Sequence, residues 1–160
     1  VMGGCSNLGS MYEQGAGVTK DDAKARALFA EACVGGSMPG CYSLGVIYAV
    51  GVGVGMDESR AATLFGKACA GGEMLGCNYL GLMHEEGAGV AKSAAKAQAL
   101  FTKACNGGLK DACAKLGIVD EEAVEQAIGL KAWWLLLPLL FWVWGAWFLR
   151  TRKRRDGEVA

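Results

Sequence analysis

Gly40-Cys41-Tyr42-Ser43-Leu44-Gly45-Val46-Ile47-Tyr48 is one copy of a segment that recurs along the chain, and its period decides the fold. Cysteines stand at 5, 33, 41, 69, 77, 105 and 113, so the gaps alternate 28 and 8 and the repeat is 36 residues long. A period of that size marks stacked supersecondary units. Three full units follow, 5–40, 41–76 and 77–112, with a partial fourth over 113–117 that keeps Leu116-Gly117.

Working outward from Cys41, apolar or small residues recur at i, i+3, i+4 and i+7, the spacing of one helix face. They are Cys5, Leu8, Gly9 and Tyr12, then Cys41, Leu44, Gly45 and Tyr48, then Cys77, Leu80, Gly81 and His84. A glycine inside a helix costs roughly 1 kcal/mol against alanine. Its recurrence predicts a close approach of two helices, with Tyr48 filling the core beside it. Each first helix stops at a Gly-x-Gly-Val turn beginning at Gly15, Gly51 or Gly87. Asp21, Asp57 and Ser93 then stand where a second helix needs an N-cap. The second helix shows a face of Ala25, Leu28, Phe29 and Ala32, repeated as Ala61, Leu64, Phe65, Ala68 and as Ala97, Leu100, Phe101, Ala104. Lys24, Arg26, Glu31 and their counterparts occupy the opposite face, which reads as solvated. The helix closes on Gly35-Gly36, Gly71-Gly72 or Gly107-Gly108.

No strand pattern competes. The expected fold is all-α, an α-solenoid of 36-residue helix-turn-helix repeats, in which neighbouring hairpins bury each other's apolar stripes.

The elements Cys-x-x-Leu-Gly-x-x-Tyr, Gly-x-Gly-Val, Ala-x-x-Leu-Phe-x-x-Ala-Cys and Gly-Gly-x-x-x-Gly-Cys resemble the Sel-one-like repeat family, relatives of the tetratricopeptide repeats. Two cysteines per unit resemble its cysteine-rich bacterial branch, the Hcp-type (Helicobacter cysteine-rich) proteins. The resemblance covers Cys5 to about Gly117 and stops at Asp120.

The cysteine spacing is not that of a zinc ribbon or knuckle; no metal and no cofactor are expected. Bridges Cys33–Cys41, Cys69–Cys77 and Cys105–Cys113 are one possible scheme, and Cys5–Cys33 with its equivalents is another, because both pairs are close in a helical hairpin. Buried free thiols in a reducing compartment are a third possibility. The odd count favours the first scheme. It leaves only Cys5 unpaired, its partner falling before Val1 if the start is a cut through a larger protein. The family resemblance implies the same pairing. Each bridge is expected to stabilise by roughly 2–3 kcal/mol.

The rest of the chain differs in kind. All five tryptophans lie between Trp133 and Trp147. Residues 118–131 read as a linker, with a polar capping helix at Glu121–Ala127. Ala132–Leu149 is eighteen residues without a charge, about 27 Å as a helix, close to the thickness of a bilayer core. A C-terminal transmembrane helix over 132–149 is therefore expected. Five basic residues between Arg150 and Arg155 open the tail 150–160, against acidic Asp120, Glu121, Glu122 and Glu125 before the span. That asymmetry predicts a cytoplasmic C-terminus, with the repeats in the periplasm or extracellular space, where disulfides persist.

Chemistry is thinly represented. The chain has 16 basic and 16 acidic residues, so general attraction to nucleic acid is not expected. Ser93-Ala94-Ala95-Lys96 matches the Ser-x-x-Lys nucleophile motif, and the Hcp-type resemblance implies a beta-lactamase-like hydrolase or penicillin binder as one alternative. No Ser-Asp-Asn or Lys-Thr-Gly follows, Ser93 fills an N-cap slot, and His84, the one histidine, replaces Tyr12 and Tyr48. The expected function is a membrane-anchored scaffold that binds a protein or peptide, with no catalytic residues. Positions that vary between copies while the frame repeats are the candidate contacts: Asn7, Ser43 and Tyr79, and Ser10, Val46 and Leu82.

Overall fold

A computed structural model of the chain describes residues 2–118. Among them are seven helices and no strand: α1 Met2–Gln14, α2 Asp22–Val34, α3 Met38–Val50, α4 Glu58–Ala70, α5 Met74–Glu86, α6 Ala94–Asn106 and the short α7 Lys110–Lys115. Each helix packs on its neighbours in sequence, and α1 also touches α3. The described residues form the all-helical repeat solenoid that the period predicts.

The helix ends follow from the residues placed there. Asp21 accepts from the Lys24 amide at 3.0 Å, Asp57 from the Arg60 amide at 2.9 Å, and Ser93 Oγ from the Lys96 amide at 3.3 Å. All three caps are those the sequence predicts, and each answers a donor the helix cannot satisfy itself. The Lys24 amide holds the Asp21 carboxyl below its usual range. Gly51 ends α3 at φ +79°, a left-handed conformation that favours glycine. In the Gly-Gly pairs the residues divide the work. Gly35 caps α2 with φ −73°, and Gly36 carries the left-handed φ of +88°.

Packing explains the glycine inside each first helix. A Cβ on Gly45 would lie 2.8 Å from Phe65 Cε1, and Gly9 and Gly81 meet Phe29 and Phe101 in the same way at 2.7 Å. The ring of the second helix lies close against the backbone of its own first helix. Those rings anchor the core: Phe29 and Phe65 are essentially fully buried.

The first helices bury more than one face, and here the expected stripe is corrected. Ile47 and Met83 are buried, whereas Tyr48 and His84, expected in the stripe, are half-buried. The reason is that an internal first helix has two partners. Gly45 faces its own α4, while Leu44 and Ile47 join Ala25 and Phe29 of the preceding unit in one cluster. Met83 likewise joins Ala61, Ala62 and Phe65. Tyr48 sits at the margin, where the Arg60 guanidinium lies 4.9 Å from its ring centre and donates to its hydroxyl at 3.2 Å.

The disulfides are Cys33–Cys41, Cys69–Cys77 and Cys105–Cys113, with Cα separations of 4.4, 4.5 and 4.7 Å. Each ties a second helix to the first helix of the next unit. Cys5 is free. A second link joins the units: Lys67 and Lys103, the counterparts of Glu31 on the face expected to be solvated, reach back to the preceding unit. Lys67 Nζ donates to the Cys33 carbonyl and Lys103 Nζ to the Cys69 carbonyl, both at 2.9 Å. A cation at a helix C-terminus is favoured by the helix dipole.

The capping helix, the apolar span 132–149 and the basic tail 150–160 lie outside the described residues. No helix among the described residues is long and apolar enough to cross a membrane.

Candidate functional site

The six candidate contacts all lie on first helices: Asn7 and Ser10 on α1, Ser43 and Val46 on α3, Tyr79 and Leu82 on α5. They are not equivalent in the structure. Asn7 is exposed, and Ser43 and Leu82 are half-buried. Ser10 is half-buried, its Oγ donating to the Ser6 carbonyl of its own helix at 3.2 Å. Val46 packs against Ala61, Ala62, Phe65 and Met83, so much of its surface serves the core.

Tyr79 is 38 % exposed and stacks on Phe65, with ring centres 5.3 Å apart. Its other aromatic neighbour is Tyr42, at 5.6 Å, which itself lies 5.9 Å from Phe65. The structure therefore brings Tyr79 and Val46 together around Phe65, and adds Tyr42, which sequence reasoning missed. The signal was present: Tyr42 aligns with Ser6 and Asn78, a position as variable as those chosen. Burial, and then the Tyr79 hydroxyl, push the Tyr42 phenol up to about 12. It stays neutral at any physiological pH, a hydrogen-bonding group in an apolar setting. Aromatic residues with a polar tip and an anchored ring suit recognition, because little side-chain freedom is left to lose on binding.

Apolar surface continues from this cluster along the first helices. Leu75 is 36 % and Val50 67 % exposed. Charge is segregated too. α1, α3 and α5 contain Glu13, Glu85 and Glu86 and no lysine or arginine. Lysine and arginine gather on the second helices, as Lys24, Arg26, Arg60, Lys67, Lys96 and Lys103. Near the far end Glu85 pairs with Lys115 of α7 at 3.8 Å, both beside a cleft between α5, α6 and α7 that also exposes Gln98 and Leu116.

At the catalytic candidates the geometry is structural. Ser93 Oγ is engaged as the α6 cap. His84 Nδ1 donates to the Ala91 carbonyl at 3.0 Å, within the loop between α5 and α6. Nothing at Ser93 supports the beta-lactamase-like alternative.

The Sel1 repeat family model matches residues 4–37, 39–73 and 75–109. No curated protein sequence matches significantly. Among solved structures, the chain is similar to c5321, a protective antigen present in uropathogenic Escherichia coli strains and displaying an SLR fold. The identity is 29 % and the TM-score 0.69, over 78 % of this chain and 27 % of that one. A Sel1 repeat protein from Oxalobacter formigenes shares the fold at 24 % identity and a TM-score of 0.71, over 74 % of this chain and 47 % of that one. Cysteine-rich protein B of Helicobacter pylori is 32 % identical with a TM-score of 0.61, over 74 % of this chain and 89 % of that one. The chain thus spans less than half the length of the first two.

Proposed function

The chain belongs to the Sel1 repeat family, and from that premise we propose that it is a non-enzymatic scaffold whose first-helix face binds an extended protein segment. Sel1 repeats typically mediate protein–protein contact. The observation that carries the finer reading is the exposed ring of Tyr79, flanked by half-buried Tyr42 and Val46 and fixed on a buried Phe65. Asn7, Ser10, Ser43 and Leu82 extend it. The partner is a peptide with aromatic or aliphatic anchors, and Glu13 and Glu86 favour basic residues beside them.

The test is selection of a displayed peptide library against the purified chain. Enriched peptides should carry apolar anchors and a net positive charge. Tyr79→Ala should weaken them about tenfold or more, as expected for loss of an interface anchor. Glu58→Ala, on the exposed start of a second helix, should leave them unchanged. Enrichment of peptides indifferent to Tyr79 would refute this site.

The same proposal places units 5–40, 41–76, 77–112 and the partial 113–117 outside the cytoplasm, followed by a linker over 118–131, an anchor at 132–149 and a basic tail at 150–160. Three disulfides support an oxidising compartment. In intact cells carrying the chain with Cys5→Ser, a membrane-impermeant maleimide should label Ala95→Cys at once and Gly157→Cys only after permeabilisation. The opposite order would reverse the topology.

A further inference from the structure

Four tyrosines stand in the chain, and they fall into two pairs. Tyr12 and Tyr48 are each matched by a cation of the chain itself. Lys24 Nζ lies 5.2 Å from the Tyr12 ring centre, and the Arg60 guanidinium 4.9 Å from that of Tyr48. The electron-rich face of an aromatic ring attracts a cation in this way. Tyr42 and Tyr79 have no such partner among the described residues. They lie on consecutive first helices with ring centres 5.6 Å apart and ring planes at 57°, a corner and not a sandwich. Phe65 supports both rings, and Tyr79 remains exposed.

Negative charge stands beside the corner. Ser6 and Ser37 show which positions meet across a joint, their hydroxyls 2.9 Å apart. One unit on, those positions hold Tyr42 and Glu73, and two units on they hold Asn78 and Leu109. At these positions only the middle unit pairs a ring with a carboxylate. Glu73 Oε1 accepts from the Leu75 amide at 3.3 Å, which holds the group at the start of α5. Neither Glu73 nor Glu13 forms an ion pair with a described residue. Burial and the Tyr79 hydroxyl come first in raising the Tyr42 pKa, and the charges of Glu73 and Glu13 add to it, so both carboxylates act on this ring.

We propose that the corner formed by Tyr42, Tyr79, Glu73 and Glu13 seats an arginine side chain of the partner peptide. The inference rests on the reading that the first-helix face binds a peptide, and it names the residue that sets the peptide's register. The chain carries its own precedent: Arg60 lies over the Tyr48 ring and donates to the Tyr48 hydroxyl at 3.2 Å. A guanidinium suits the corner better than an ammonium. It is planar, stacks on a ring, and presents several N–H groups to a carboxylate at the same time. Exposed Leu75, one turn before Tyr79 on α5, and half-buried Val46 supply apolar surface for neighbouring residues of the peptide.

The test is a titration of the full chain, with its three bridges intact, followed through the ring-proton NMR signals of Tyr42 and Tyr79. The probes are three blocked tripeptides with leucine at both ends and arginine, lysine or citrulline in the middle. Citrulline keeps the shape of arginine without its charge. The arginine peptide should shift both rings and bind about fivefold more tightly than the citrulline peptide, with lysine between them. Glu73→Gln keeps an acceptor for the Leu75 amide and should bring arginine down to the citrulline value. Glu58→Gln, an equal change of net charge, should not. Equal binding of arginine and citrulline, both lost in Tyr79→Ala, would overturn the arginine seat and leave the apolar face standing as a binding surface. An arginine preference that survives Glu73→Gln would overturn it too, because net charge alone would then be the cause. So would unshifted Tyr42 and Tyr79 signals with all three peptides.

Discussion

Reduction of Cys33–Cys41, Cys69–Cys77 and Cys105–Cys113 should abolish the cooperative unfolding transition of the array at room temperature. Each bridge closes a short loop, with a sequence separation of 8, and contributes about 2–3 kcal/mol in the chain-entropy picture. Three of them approach the whole stability of an ordinary domain, roughly 5–15 kcal/mol. The non-covalent core explains the dependence. It is divided into small clusters built mainly of alanine and cysteine, with a single phenylalanine from each unit. Circular dichroism in a urea series, with and without a phosphine reductant, measures the effect. An unchanged midpoint after reduction would show that packing alone holds the stack. Replacing only Cys69 and Cys77 by serine should loosen one joint while the others hold, because each unit contacts only its neighbours.

Phe65→Ala should cost about 3–5 kcal/mol, the usual range for removing a fully buried aromatic side chain. The ring is 1 % exposed, and it supports Gly45, Met83, Tyr42 and Tyr79 at once. Gly45→Ala sets two effects against each other. Helix propensity favours alanine by roughly 1 kcal/mol. The new Cβ would stand 2.8 Å from Phe65 Cε1, and overpacking of a buried contact costs about 1–3 kcal/mol. The ring is wedged in its own cluster and has little room to retreat, so net destabilisation is expected. Combining Gly45→Ala with Phe65→Leu should recover part of the loss, because residues in contact couple by about 0.5–3 kcal/mol. Urea midpoints of the two single variants and the double variant decide it. Strict additivity would mean that glycine is there for some other reason.

The hairpins and the three caps at Asp21, Asp57 and Ser93 were legible because each depends on local spacing. The pairing of cysteines eight apart was not decided by spacing, which leaves Cys5–Cys33 equally close, and rested on the odd count and the family resemblance. Ile47 and Met83 were not legible. Their positions fall outside the i, i+3, i+4, i+7 set, and periodicity reports a face without saying how many neighbours a helix has. Lys67 was read as the counterpart of Glu31 because its partner, the Cys33 carbonyl, lies 34 residues away on another unit. The candidate surface was partly legible. Variation between copies led to Tyr79, which is exposed, and to Val46, which mostly packs. The same logic passed over Tyr42, whose place beside Tyr79 depends on how α3 and α5 lie against each other.

The bridges also set how the array would respond to tension. A unit pulled open between Cys41 and Cys69 can release only the 28 residue steps that separate its two cross-linked cysteines, about 100 Å of chain at ~3.5 Å per residue. The remaining eight residues of each period are locked behind an S–S bond. A reduced unit would release all 36 residues, about 125 Å by the same measure. The oxidised chain is thus a shorter tether, with its slack divided into equal steps.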